Sequence, residues 1–135
     1  MLKDRVKDYY LVKDNNCAET MLHVINDEYG LGLEAEDFKL VGAYGAGFGC
    51  GITCGALAAP MAALGKIVIT GRAHATEGFG ALCAAYVEAF HAKQGSLDCS
   101  ALKEKNFVPG ERCLKTVYLA CEVFEEFLKE YNIKV

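Results

Sequence analysis

Apolar residues recur at three- and four-residue spacing in five stretches of this 135-residue chain, and no stretch alternates strictly as a half-buried strand would. That periodicity predicts an all-α fold. One domain spans residues 1–135, a compact bundle of about five helices with a glycine-rich loop before the central one. The first stretch, Leu2–Lys13, is short and charged, with Val6, Tyr9 and Tyr10 as its apolar side. Asn16 and Glu19 stand at capping-box spacing, so Asn16 is the expected N-cap and Cys17 the first residue of a second helix. Its apolar face is Ala18, Met21, Leu22, Ile25 and Tyr29, and Gly30 and Gly32 end it.

Residues Asp37–Ala43 are expected to form a short helix leading into GAYGAGFGCGITCGA. Tyr44, Phe48 and Ile52 interleave with the glycines there, which predicts a packed irregular loop rather than a flexible linker. Thr53 is the expected cap of a helix starting at Cys54, with Pro60 inside it as a predicted kink and β-branched Ile67–Thr70 retained as helix. Phe79, Leu82, Cys83, Tyr86 and Phe90 follow the helical period, closed by Gly95. Asp98 can cap a turn starting at Cys99. Pro109–Gly110 is expected to open the last helix, with Cys113 in its first turn. Leu114, Val117, Cys121, Phe124, Leu128 and Tyr131 form a seam there for a partner helix, in the same chain or in a second copy as a homodimer.

With 53% hydrophobic and 24% charged residues, such a chain can bury a core without covalent staples. A net charge of -4 argues against nucleic acid as a main partner, because phosphate binding needs a basic face. No apolar run approaches the roughly 20 residues of a membrane helix. The opening MLKDRVKDYY lacks the apolar segment of a signal peptide, so a cytoplasmic location is expected.

Seven cysteines in that compartment point to metal, catalysis or redox sensing rather than to permanent disulfides. No CxxC, CxxCH or HExxH motif is present. Cys17, Cys54, Cys99 and Cys113 fall where helices begin, and there unpaired N–H groups and the helix dipole favour thiolate. Cys83 and Cys121 lie inside apolar stripes and read as core. Cys50 stands in the glycine run, four residues before Cys54. It reads as a reversible disulfide partner, an extra ligand or an unpaired loop thiol. Of the histidines, His23 lies between apolar positions of a helix and reads as a residue at the edge of its buried face, His91 lies near a helix end, and His74 belongs to a solvated loop beside Arg72 and Glu77.

NCAET at Cys17, TCGAL at Cys54, QGSLDC at Cys99, and Cys113 before a terminal helix resemble, in order and spacing, the redox-active family named for its C_GCAxxG_C_C cysteine pattern. The resemblance runs from about Asn16 into the last helix. It implies four hallmark cysteines, Cys17, Cys54, Cys99 and Cys113. Gly55 and Ala56 complete the CGA element and are the implied cofactor-binding positions. Members occur largely in anaerobes, and a related domain accompanies the haem of split-Soret cytochromes, where an iron–sulfur centre is found. Ala59 stands where the family has its second glycine, Pro60 follows it, and Cys50 is additional.

Three functions are compatible with these residues. The leading one is a redox protein whose four cysteines hold an iron–sulfur cluster, or another thiolate-bound metal such as zinc. It would serve electron transfer to a redox partner protein or redox sensing. The second is a metal-free thiol–disulfide oxidoreductase, with Cys54 as nucleophile, because glycines expose its surroundings and its helix start lowers its pKa, and with Cys50 or Cys17 resolving. The third is a non-catalytic helical module with structural thiols or zinc.

Overall fold

Both arms of the Asn16 capping box form. The Glu19 amide donates to Asn16 Oδ1 at 2.9 Å, and the Asn16 amide donates to Glu19 Oε1 at 2.9 Å. Helix α1 therefore starts at Cys17 and runs Cys17–Tyr29. It stops at Gly30, whose φ of +60° suits a residue without a Cβ. The structure, a computed structural model describing residues 1–135, contains four further α-helices and no strand. They are α2 Gly55–Val68, α3 Phe79–Gln94, α4 Cys99–Asn106 and α5 Leu114–Glu130. No helix is long and apolar enough to cross a membrane.

The core is built on α5. Val117, Cys121, Phe124 and Phe127 are almost wholly buried along one face, each large side chain contributing about 1.5–3 kcal/mol. The Tyr86 ring of α3 meets Phe127 edge-on at 4.9 Å, and Tyr29 of α1 reaches Phe124 at 5.9 Å. The seam on α5 is thus filled from within the chain, by α3, α1, α2 and the N-terminal turns. α1 packs most extensively on α2. A polar knot ties the helix ends together beside the later cysteines. Gln94 Nε2 donates to the Thr116 carbonyl at 2.9 Å, Asn106 Nδ2 donates to Thr116 Oγ1 at 2.8 Å, and Lys105 Nζ donates to the Gln94 carbonyl at 3.0 Å. This holds α4 against the start of α5.

Several local expectations need correction. The opening segment is a 3-10 turn, Leu2–Arg5, followed by a π-helical turn, Asp8–Val12, because closing Leu2, Val6 and Tyr10 onto the core outweighs regular helix geometry. Thr53 does not cap α2. It forms an antiparallel bridge with Asp98, and Cys54 takes the N-cap position. α2 continues through buried Pro60 to Val68, and Ile69 is extended. Pro109–Gly110 does not open the last helix. Gly110 at φ +88° and Arg112 at φ +52° make a turn closed by a Val108–Arg112 bridge, so α5 starts at Leu114 with Cys113 as its N-cap. Cys121 is core, with its Sγ 3.8 Å from Met21 Sδ. Cys83 is only half-buried, because α3 buries a narrow edge of Tyr86, Phe90 and Gln94.

Candidate redox site

Cys17 and Cys99 are the first residues of α1 and α4, and Cys54 and Cys113 are the N-caps of α2 and α5. Long-range contacts bring these four helix starts to one end of the bundle. The Cys54 amide donates to the Leu97 carbonyl at 2.9 Å and the Cys99 amide donates to the Ile52 carbonyl, which clamps the second and third cysteine segments together. The Cys113 amide donates to Tyr10 Oη at 3.1 Å. Asn16 adds a further tie, its Nδ2 donating to the Gly42 carbonyl at 3.0 Å, which anchors the glycine-rich loop beside Cys17. A Cβ on Gly45 would collide with that Asn16 amide.

Gly55 has a steric reason to be glycine. A Cβ there would lie 2.8 Å from Cys17 Sγ and 2.8 Å from the Tyr44 carbonyl oxygen. The CGA element thus lets the Cys17 sulfur lie directly on the backbone that follows Cys54. Ala56, next to it, is fully buried. These contacts account for Gly55 and Ala56 through packing.

Cys17, Cys99 and Cys113 line a cavity of about 490 Å³ together with Cys50, Lys103 and Arg112. Cys54 lies behind this wall, only 4% exposed. The thiols influence one another. Burial pushes the Cys17 thiol up, and negative charge on Cys99 and Cys113 pushes it the same way. Burial pushes Cys54 up to about 12, with Cys17 and Cys99 adding to the effect. Burial also raises Cys113, as does Cys99, while the Lys103 and Arg112 cations act in the opposite sense. Backbone N–H groups act in the opposite sense on two of the thiols, those of Ala46 and Ala18 on Cys17 and those of Ala56 and Leu57 on Cys54. They favour thiolate, as expected at helix starts, but desolvation is the larger effect.

Two expectations about chemistry are thereby corrected. Helix starts alone do not make acidic thiols of Cys17, Cys54 or Cys113. Nor do the surrounding glycines expose Cys54 as a nucleophile, because they permit close packing around it. The exposed thiol at this end of the molecule is Cys50, whose Sγ donates to the Gly47 carbonyl at 3.5 Å. No three His, Cys, Asp or Glu side chains surround a single point as the ligands of one metal ion do.

The histidines lie outside the cavity lining. His23 is stacked between Tyr9 at 4.5 Å and Phe38 at 3.7 Å. His74, in the 3-10 turn Ala73–Ala75, and His91, in the last turn of α3, are exposed. Sequence reasoning missed Tyr10, Lys103 and Arg112. Arg112 carried a signal, since it directly precedes Cys113. Its guanidinium lies 4.0 Å over the Tyr10 ring, donates to the Tyr10 and Asn15 carbonyls and pairs with Asp14 at 3.6 Å. Tyr10 carried none, being joined to Cys113 only by the fold.

No curated protein and no solved structure matches the chain. A family model described as "Putative redox-active protein (C_GCAxxG_C_C)" matches residues 15–127. That span takes in all four helix-start cysteines and the helices that position them, and the chain belongs to this redox-active family.

Proposed function

We propose that Cys17, Cys54, Cys99 and Cys113 hold an iron–sulfur cluster, through which the protein carries out electron transfer or redox sensing. The observation that carries this reading is the convergence of four thiols from four helix starts, with backbone N–H groups that favour thiolate at Cys17 and Cys54. Four thiolates packed together repel one another, and a cationic iron core removes that repulsion. Cluster sulfurs accept N–H bonds of the kind Ala18, Ala46, Ala56 and Leu57 offer.

The spacing favours a cluster over a single ion. Thiolates around one zinc, at about 2.3 Å each, crowd about one point, an arrangement that no three donors here adopt. A multi-iron core spreads its ligands over several metals and suits Cys17, Cys99 and Cys113 ranged around a cavity with Cys54 behind them. When bound, it would supply one-electron chemistry at a potential set by hydrogen bonding and burial. The chain's own residues would hold it, with backbone N–H groups favouring thiolate at Cys17 and Cys54 and with Lys103 and Arg112 beside Cys113 offsetting negative charge.

The test is anaerobic reconstitution of the full chain with iron and sulfide. Stoichiometric iron and acid-labile sulfide, a visible absorption band bleached by dithionite, and loss of all three in Cys54→Ser and Cys99→Ser are expected. Colourless, iron-free protein after reconstitution would overturn the proposal.

A further inference from the structure

We propose that the mouth of the thiol cavity is a binding site for anionic low-molecular-weight disulfides, with Cys50 as the attacking thiol and Cys99 as the resolving one. Three observations carry this. Cys50 is the exposed member of the cysteines lining the cavity. The cavity is cationic in an otherwise acidic chain. The protein has net charge -4, yet Lys103 and Arg112 line the cavity and none of its 13 lining residues is acidic. Arg112 is largely engaged with Tyr10, Asn15 and Asp14. Lys103 makes no ion pair, its ammonium lying 5.4 Å from the Phe107 ring centroid, so it is available to an incoming carboxylate.

The third observation is the seating of the loop. Cys50 belongs to Gly47–Gly51, which packs on the first turn of α4. A Cβ on Gly47 would lie 2.7 Å from Cys99 Cβ, and Ser100 Oγ donates to the Gly51 carbonyl at 3.0 Å. Cys50 Sγ donates to the carbonyl of that same Gly47. Cys50 Sγ and Cys99 Cβ therefore both lie against Gly47.

The exchange is balanced. Cys50, having lost its proton to solvent, attacks one sulfur of RSSR, and the S–S bond breaks to give a Cys50–S–S–R mixed disulfide and RS⁻. The Cys99 thiolate then attacks the Cys50 sulfur and expels a second RS⁻. Two protein thiols are oxidised to one disulfide, RSSR is reduced, and both leaving thiolates take up protons as RSH. The reaction needs no metal. It is tested on metal-free protein, so its failure and that of the cluster reading are distinguishable.

The experiment uses the metal-free full chain, handled anaerobically, with three probes: oxidised glutathione (anionic), bis(2-hydroxyethyl) disulfide (neutral) and cystamine (cationic). Peptide mapping of the wild type should find a Cys50–Cys99 disulfide. Cys99→Ser should accumulate the glutathione adduct on Cys50. Cys50→Ser, at an exposed position, should slow the reaction at least about tenfold. Lys103→Gln should lower the rate with oxidised glutathione, relative to the neutral probe, by about threefold or more, and high salt should erase that difference. A first adduct mapping to another cysteine, or a rate ratio unchanged by Lys103→Gln, would overturn the proposal.

Discussion

Replacing Gly55 with alanine tests the packing on which the site depends. Gly55 is the first residue of α2 and lacks the positive φ that would make a side chain strained. On helix propensity alone, alanine should stabilise, by up to about 1 kcal/mol. The new Cβ, however, would stand 2.8 Å from Cys17 Sγ, 2.8 Å from the Tyr44 carbonyl oxygen and 3.2 Å from Ala18 Cβ. Cys17 and Ala18 are short side chains on α1 and the third neighbour is the Tyr44 backbone, so relief requires α2 to move away from α1 and from the Tyr44 segment. Overpacking of this kind costs about 1–3 kcal/mol, and the net expectation is destabilisation by about 1–2 kcal/mol. Gly65→Ala, in the same helix, is the control. Its Cβ would meet Ile69 Cδ1 at an ordinary 3.5 Å, so propensity wins and about 0.5–1 kcal/mol is gained. Urea unfolding at constant m-value gives both numbers. In a thermal scan each kcal/mol shifts Tm by about 4 °C for a chain of this size. Equal stabilisation by the two substitutions would refute the claim that Cys17 lies against the CGA backbone.

Asn16→Ala should cost about 1–2 kcal/mol by urea unfolding, since it removes the cap of α1 and also the tie to Gly42. Cys121→Ser should destabilise by about 1–3 kcal/mol, by placing a hydroxyl beside Met21 in the core, while leaving the iron content of reconstituted protein unchanged. Burial between Tyr9 and Phe38 lowers the His23 pKa, with Asp27 and Glu19 acting in the opposite sense. The fold therefore favours neutral imidazole. Its contribution is present above the unfolded value of about 6.5 and is lost as pH falls through the depressed folded value. His23→Phe should flatten the stability profile below about pH 6.5, measured as urea midpoints. Tyr10→Phe strips the Cys113 amide of its acceptor and should cost about 1 kcal/mol in the same assay.

The sequence was legible where local chemistry decides structure. The Asn16–Glu19 pair specifies the start of α1 within a few residues of chain, and Gly30 and Gly95 mark helix ends through a conformation that glycine adopts without strain. Local signals of this kind also place Cys17 and Cys99 at helix starts. Tertiary effects were not legible. The acidity of a helix-start thiol depends on how much bundle covers it, and for Cys54 that cover outweighs the amides of Ala56 and Leu57. The glycines around Cys54 read equally well as openness or as close packing, and only the position of Cys17 decides between them. The start of α5 was misread because Pro109–Gly110 is a good helix opening locally, yet the Val108–Arg112 bridge makes it a turn.

The clamp between Ile52–Cys54 and Leu97–Cys99, with the Tyr10 bond to Cys113, has a consequence for the timing of synthesis. None of the four cysteines has a neighbouring cysteine of the set within its own helix, and the last comes into place only when α5 docks. A nascent chain still lacking α5 presents three thiols and an open side, with Leu2, Val6 and Tyr10 uncovered. The site therefore comes into being only once α5 has been made and has docked on the rest of the bundle.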